Sequence, residues 1–325
     1  MRLDPGLRAL RADDRPQRDA QGALYRKVGA WRETAEMRAL EAELADFAGG
    51  GPLEDFALLS ACFDPEGGAA ATLVGRFVSA VVAALAEAPL GQVPLRHFTD
   101  GTHSTLLLGR SGAVTLALAA VDGAGLARRP APGAVSFPPN QSWEHILAGT
   151  ARAELVDAPG MGPGPAPLER RPIVLEAGTV LMRDSRRRAL LLHEVRGRLV
   201  TLRLQRRLPG SEVCREHRLA DGALVHQSAG SARDSRLELA ASMLARMGRA
   251  DAAPLLAAMA QEDGSPGLRW QVLRECLALD TREGFAALAA IAAAPGDPLA
   301  VPAGALRAQL IECHPVLGEL EPCPG

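Results

Sequence analysis

The chain has 325 residues, of which 47% are hydrophobic, 23% are charged and 3% are aromatic. This composition is typical of a globular protein with two or three cores, and it excludes intrinsic disorder. The formal net charge of −2 gives no electrostatic bias toward nucleic acid or toward an anionic membrane. No nucleic-acid partner and no membrane partner are therefore expected.

The cysteines and the apolar stretches bear on the compartment. The five cysteines are scattered and have no CxxC spacing, which argues against a disulfide framework and a structural zinc site. Residues 1–27 are charged throughout and lack the apolar run of a secretory signal. The most apolar stretch, residues 77–90, is interrupted by Glu87 and is too short to span a bilayer. A cytoplasmic location is expected.

The first 92 residues are predicted to form a tail followed by helices. Residues 1–22 are polar, rich in Arg and Asp, and are expected to be a flexible tail. In the helical segment, residues 23–92, apolar side chains first recur at steps of three and four, which indicates an amphipathic helix. Gly and Pro residues then bound a second helix over 53–62 and a third over 70–86.

Residues 93–232 have the pattern of β-strands. At least seven short apolar or alternating runs are separated by glycine, proline or charged turns, which is typical of a sandwich or a barrel. Hairpins are predicted at Arg110-Ser111-Gly112, at Asp122-Gly123 and at Arg196-Gly197-Arg198. A closing hairpin is predicted around Asp221-Gly222.

Residues 233–325 show a helical pattern that repeats at a period of about 32 residues, so that Leu256 falls on Leu288 and Met247 on Leu279. Paired amphipathic helices at this period indicate a short HEAT-like array. Because such arrays often present a binding surface, we expect the C-terminal helices to contact a protein partner.

Two stretches of the β region resemble the halves of a cupin domain. Residues 136–156 read SFPPNQSWEHILAGTARAELV, and residues 178–204 read GTVLMRDSRRRALLLHEVRGRLVTLRL. The resemblance implies a cupin-type barrel. Metal-binding cupins carry an HxH pair and a glutamate ahead of the glycine turn, but residues 138–143 read PPNQSW in that place. The second half departs too, because His193 lies fifteen residues past Gly178 instead of about ten. The metal site of that family is therefore not carried over.

These patterns together predict an α+β protein. A central cupin-like antiparallel β-barrel or sandwich, residues 93–232, is flanked by an N-terminal helical segment and by a C-terminal α-helical HEAT-like bundle, residues 233–325. A cupin-like fold does not by itself fix an activity.

Four histidines of the β region are candidate metal ligands: His97, His103, His145 and His193. A catalytic metal needs about three converging N or O ligands, and His97 with His103 and one of the other two could supply them. The alternative is that each histidine is solvated or satisfied by one backbone hydrogen bond. In a strand, Glu144 and His145 point to opposite faces, which favours a structural role for His145. The cofactor is therefore expected to be none or a divalent transition metal.

Arginines offer a second kind of site. Nine of them lie between Arg183 and Arg207, and strand alternation would place Arg196, Arg198 and Arg203 along one face or rim. Guanidinium groups suit phosphate or carboxylate ligands. The alternative is that these arginines are solvated or pair with acids elsewhere in the chain.

The chain has no GxSxG elbow and no cysteine in a recognisable active-site context. We therefore expect a non-enzymatic cytoplasmic binding or sensor-like protein, whose barrel holds a small anionic ligand. Two alternatives stay open at this point. One is a metal-dependent cupin-type oxygenase or isomerase with a non-standard histidine set, and the other is a structural subunit with a filled barrel.

Overall fold

The computed structural model describes residue 10 and residues 12–159, 165–208 and 213–320. The chain divides into two compact units. Unit 1 comprises Met1–Pro209 and His217–Leu224, and unit 2 comprises Gly210–Glu216 and Val225–Gly325.

The first helix of unit 1 begins earlier than the sequence predicted. The helices are α1 (Arg15–Arg32), α2 (Ala35–Ala48), α3 (Ala57–Ala61) and α4 (Ala69–Glu87), with a 3-10 turn at Leu53–Asp55. Because α1 starts at Arg15 with Pro16 in its first turn, a boundary at residue 22 falls inside a helix. Residues 1–9 of the expected tail lie outside the described residues.

Helix α4 corrects a second expectation. By length and composition alone it is apolar enough to cross a membrane, whereas the sequence pattern predicted too short a stretch. Its Leu73, Val74 and Phe77 are buried in the core of unit 1. The core helix of a globular protein meets the same length and composition criterion.

Eight strands follow in the described part of unit 1. They are β1 (His97–Thr99), β2 (His103–Ser111), β3 (Val114–Asp122), β4 (Ala134–Phe137), β5 (Asn140–Asp157), β6 (Glu169–Glu176), β7 (Val180–Asp184) and β8 (Arg188–Arg207), and the short helix α5 (Gly123–Ala127) follows β3. Seven of these strands form one sheet in the order β1-β2-β3-β8-β5-β6, with β7 also paired to β5. All pairs with a described register are antiparallel.

The fold of unit 1 is therefore mixed α+β, with an antiparallel sheet. The expected barrel is not closed, because β1 and β6 stand at opposite ends of the strand order. The predicted hairpin at Arg110-Ser111-Gly112 joins β2 to β3 as expected.

Two other predicted hairpins are wrong. Gly123 begins helix α5, for which Asp122 is the N-cap residue. Arg196-Gly197-Arg198 lies inside the continuous strand β8. Gly197 has a φ of +68°, and the pairing of β5 with β8 shifts register on both sides of Ala148. The glycine therefore marks an irregularity in a long strand and not a turn between two strands.

Gly149 lies in β5 where the pairing with β8 shifts register. Its backbone conformation leads to a stability prediction. Gly149 has a φ of +91°, and a Cβ atom there would lie 2.1 Å from the carbonyl oxygen of Arg198. We expect Gly149→Ala to lower the free energy of unfolding by at least about 1–3 kcal/mol, because it combines a disfavoured φ with a backbone clash.

Gly197→Ala is the matched control for Gly149→Ala. Gly197 also has a positive φ, but a Cβ atom added there would meet no atom of the described residues within 4 Å. Urea unfolding of both variants measures the difference. An equal loss in the two variants would contradict the clash.

The two faces of the sheet have different surroundings. Trp143, Leu202 and Leu204 belong to one buried cluster with residues of the N-terminal helices, and the rings of Phe47 and Trp143 meet edge to face at 5.5 Å. Glu144, the neighbour of Trp143, must point to the other face because strand residues alternate. That other face carries the candidate site.

The described part of unit 2 contains a hairpin, five α-helices and two 3-10 helices, Ala250–Ala252 and Pro315–Leu320. The elements are β9 (Val213–Arg218), β10 (Leu224–Ala229), α6 (Ala232–Arg246), α7 (Ala253–Gln261), α8 (Pro266–Leu279), α9 (Thr281–Ala293) and α10 (Ala300–Cys313), and the boundary between the units crosses β9 and β10. The predicted strands around Asp221-Gly222 are confirmed. Helix α6 is capped by Ser231, whose hydroxyl oxygen accepts a hydrogen bond from the Asp234 N–H at 3.0 Å.

The helical repeat of unit 2 stays a prediction. Leu256 and Leu288, which the period of about 32 residues superimposes, are both buried in one cluster. Met247 is 64% exposed, whereas its counterpart Leu279 is half-buried. The C-terminal helical region is established, and a HEAT-like character is not.

Candidate functional site

A cavity of about 710 Å³ lies in unit 1 on the face of the sheet opposite the N-terminal helices. We call it the sheet cavity. It is lined by His103, Leu126, Arg129, Pro130, Pro132, Ala134, Val135, Ser136, Pro138, Glu144, Arg183, Ser185, Ala189, Leu190, Leu191, Leu192, Arg203 and Gln205. Three of its charged side chains, those of Glu144, Arg183 and Arg203, come from neighbouring strands, and most of the remaining lining residues are aliphatic.

These three charged side chains are brought together by strand register. Glu144 on β5 is directly opposite Arg203 on β8, and Arg183 on β7 is opposite Ser142, two residues before Glu144. Residues two apart on a strand share a face. The three charged side chains therefore project together from β5, β7 and β8, and we call them the Arg–Glu–Arg triad.

The triad is tightly paired. Arg183 Nη2 donates to Glu144 Oε2 at 2.7 Å, and Arg203 Nε lies 2.9 Å from Glu144 Oε1. The exposed fractions of the side chains are 4% for Glu144, 11% for Arg183 and 34% for Arg203. The carboxylate is thus enclosed, while one of its arginines reaches toward solvent.

The charges of the two arginines determine the ionisation of Glu144. Burial alone raises the pKa of this carboxyl, but the positive charges of Arg183 and Arg203 outweigh burial, and the pKa lies below its ordinary value. Glu144 is therefore a carboxylate at neutral pH, and the triad carries one net positive charge.

The triad keeps unused hydrogen-bond donors. Arg183 Nε and Arg203 Nε are both buried and have no hydrogen-bond acceptor among the described residues. For Arg203 the short distance to Glu144 is an ion pair without an aligned N–H···O geometry. A guanidinium group has five N–H donors and no acceptor, so a single carboxylate cannot satisfy both arginines.

A second charged group, centred on Arg129, also lines the sheet cavity. Arg129 Nη2 donates to Asp100 Oδ2 at 2.7 Å, and Arg129 Nε donates to the hydroxyl of Thr102 at 3.1 Å. The backbone N–H groups of His103 and Thr102 and then Arg129 hold the pKa of Asp100 well below its usual range. This group is satisfied internally and positions the segment that follows α5.

Only one of the three predicted ligand-binding arginines lines the sheet cavity. Arg203 lines the sheet cavity as a member of the triad. Arg196 and Arg198 are exposed and do not line it, and Arg198 Nε lies 3.6 Å from Asp122. Sequence reasoning missed Glu144 and Arg183 as site residues. The signal available in the sequence was Glu144 itself, an acid between Trp143 and the apolar residues that begin at Ile146.

The four predicted metal-ligand histidines do not converge. His97 Nδ1 lies 3.2 Å from the Leu95 carbonyl oxygen, and His103 Nδ1 lies 3.5 Å from Asp100. His145 is buried with its Nδ1 atom 2.8 Å from the Cys62 carbonyl oxygen. Residue His193 is exposed, with Nε2 3.3 Å from Glu154. Among the described residues, these histidines therefore form no three-ligand metal set.

A metal centre of the kind that the cupin resemblance implies does not fit these residues. Within residues 12–159, 165–208 and 213–320, no group of three or more His, Cys, Asp or Glu side chains could hold an ion together. The sheet cavity offers guanidinium groups around its one carboxylate, and a guanidinium group repels a cation and has no lone pair to donate. We derive no chemical step through a metal.

No protein family and no curated protein sequence matches this chain. Solved structures that match include a protein from Ralstonia eutropha JMP134 described as a candidate mannose-6-phosphate isomerase, with 13% identity, a TM-score of 0.25 and coverage of 35% of this chain and 93% of that one. Oxalate decarboxylase from Bacillus subtilis matches at 17% identity and a TM-score of 0.25, covering 37% of this chain and 31% of that one.

HutD from Pseudomonas fluorescens SBW25 matches at 17% identity and a TM-score of 0.24, covering 35% of this chain and 57% of that one. These neighbours are cupin-fold proteins with an antiparallel sheet. At such TM-scores and identities the likeness carries no argument about what this chain binds or does.

Proposed function

We propose that this protein is a non-enzymatic binding protein and that its sheet cavity holds a small anionic ligand. The observation that carries this proposal is the Arg–Glu–Arg triad, in which two arginines share one buried carboxylate on the cavity wall. The proposal uses the side chains of unit 1 alone.

The energetics of the triad favour an anion. Removing two guanidinium groups from water is costly unless charges and hydrogen bonds compensate, and Glu144 compensates only part of that cost. A bound carboxylate or phosphate would neutralise the remaining positive charge and accept hydrogen bonds from Arg203, whose side chain is 34% exposed. Charge-assisted hydrogen bonds of this kind are short and strong.

The aliphatic wall strengthens the same interaction. Leu126, Val135 and Leu190 line the sheet cavity together with three prolines. A weakly polar wall lowers the local dielectric constant, so a charge pair inside it attracts more strongly than the same pair on the surface.

Isothermal titration calorimetry of the full chain tests the proposal with acetate, malonate and inorganic phosphate as probes and malonamide as the uncharged control. We expect at least one of the anions to bind and malonamide not to bind. Arg203→Gln should weaken that binding by roughly 10- to 100-fold, which corresponds to the loss of one charge-assisted hydrogen bond.

Arg198→Gln is the matched control for Arg203→Gln, because Arg198 lies on the same strand but outside the sheet cavity. Its affinity for the anion should equal that of the unmodified chain. If none of the three anions binds, or if Arg203→Gln binds as well as Arg198→Gln, the proposal fails.

The other expectations have less support. A filled barrel, as in a purely structural subunit, is disfavoured by the size of the sheet cavity. The protein partner expected for the C-terminal helices and the cytoplasmic location stay predictions.

A further inference from the structure

A second cavity, of about 500 Å³, lies within unit 2 beside β10, the middle of α6 and the start of α8. We call it the serine-lined cavity. The side chains that matter for its chemistry are Ser228, Ser235, Glu238, Ser242, Trp270 and Gln271. Its walls carry hydroxyl, amide and carboxylate groups around one indole.

The charge of the serine-lined cavity is opposite to that of the sheet cavity. Among the residues that the structure describes, no Arg, Lys or His side chain lines it. Glu238 has no ion-pair partner in the described part of the chain. Burial and then the negative charge of nearby Asp234 raise the pKa of Glu238, so the site lacks a positive charge that would stabilise the carboxylate form.

A polar network on the wall is already satisfied. Ser242 Oγ donates to Glu275 Oε1 at 2.8 Å, and the Gln271 side-chain amide also donates to Glu275 Oε1. These bonds hold Ser242 and Gln271 in place and leave Glu238 as the acid that lines the cavity with no hydrogen-bond or ion-pair partner among the described side chains.

Trp270 supplies an aromatic surface. The indole lines the serine-lined cavity, and the side chain packs in part against the helical core of unit 2, which restricts its motion. Among aromatic side chains, the indole of tryptophan attracts a cation most strongly, because the face of its ring carries partial negative charge.

We propose that the serine-lined cavity binds an organic ammonium ion, with Glu238 as its counter-ion and Trp270 as the aromatic face beneath it. A cation would supply the positive charge that Glu238 lacks, and the alkyl groups of the ion would rest on the indole. The site is independent of the anion site proposed for unit 1, because it lies on other residues.

The test uses the full chain with choline as the probe and 3,3-dimethylbutan-1-ol, which has nearly the same shape but no charge, as the matched ligand. Titration is followed by calorimetry and by tryptophan fluorescence. We expect choline to bind at least about tenfold more tightly than the alcohol. Glu238→Gln and Trp270→Leu should each weaken choline binding by about tenfold.

Glu262→Gln is the control variant, because Glu262 is an exposed acid of unit 2 outside the serine-lined cavity. It should bind choline as the unmodified chain does. The comparison of choline with the alcohol needs no variant and decides the case even if a substitution prevents folding. Equal affinities for the two ligands, no binding of choline, or full affinity in Glu238→Gln would each overturn the proposal.

Discussion

Glu144→Ala is expected to lower the free energy of unfolding by about 3 kcal/mol. The substitution leaves the positive charges of Arg183 and Arg203 next to each other without a counter-ion, and removing one partner of a buried ion pair typically costs about 3–5 kcal/mol. The lower end applies because Arg203 is 34% exposed and solvent can screen part of its charge. Urea unfolding at neutral pH measures the loss.

Glu154→Ala is the matched control on the same strand. Glu154 accepts two hydrogen bonds from Arg170, at 2.9 and 2.6 Å, but this pair is exposed to solvent. An exposed ion pair contributes little to stability because water and salt screen it. The loss should therefore be much smaller than for Glu144→Ala, and equal losses would show that burial of the triad is unimportant.

The sequence predicted much of the framework of unit 1. Alternating apolar runs placed most strands, and the turn at Arg110-Ser111-Gly112 was correct because a short polar turn joins two strands of equal length there. The same reasoning failed at Arg196-Gly197-Arg198. A glycine with positive φ serves a turn and a bulge equally well, and only the pairing of the whole strand distinguishes them.

The Arg–Glu–Arg triad could be predicted only in part. Strand alternation brought Arg203 among the candidates, but Arg183 and Glu144 depend on two strand registers that no local pattern specifies. Glu144 is 39 residues from Arg183 in the chain. A buried acid in an apolar run indicates a partner without identifying it.

For the histidines, the sequence predicted the strand faces but not the tertiary arrangement. Opposite faces for Glu144 and His145 follow from the period of a strand alone, and the structure has Glu144 in the sheet cavity and His145 on the Cys62 carbonyl oxygen. The expected meeting of His97 and His103 with one of the other two histidines depended on how distant strands lie relative to one another. That arrangement is a property of the tertiary fold, and the residue types alone did not determine it.

Arg269→Met is expected to lower the stability of unit 2 by about 3 kcal/mol. Arg269 is buried in the first turn of α8, where its Nε donates to the Ala260 carbonyl oxygen at 2.9 Å. Its Nη1 and Nη2 atoms donate to the two carboxylate oxygens of Asp297 at 3.2 and 2.6 Å. Methionine fills a similar volume but removes all three hydrogen bonds, one to the Ala260 carbonyl oxygen and two to Asp297. Urea unfolding followed by far-UV circular dichroism reports on the helices.

The ion pair between Arg269 and Asp297 makes the stability loss of Arg269→Met depend on pH. Hydrogen bonds from Arg269 and then from the Leu299 N–H hold the pKa of Asp297 below its usual value. A carboxyl whose pKa is lowered on folding contributes stability above its unfolded pKa of about 3.9 and loses it as the pH falls through the folded pKa. The difference between the unmodified chain and Arg269→Met should therefore be full at pH 7 and shrink below about pH 4. Arg249→Met is the control, because it also removes two hydrogen bonds to one carboxylate, from Nε and Nη2 to exposed Asp251 at 2.8 and 2.7 Å, and we expect almost no change at either pH. If Arg269→Met lowers the free energy of unfolding equally at pH 7 and below pH 4, the loss comes from packing and not from the charge of Asp297.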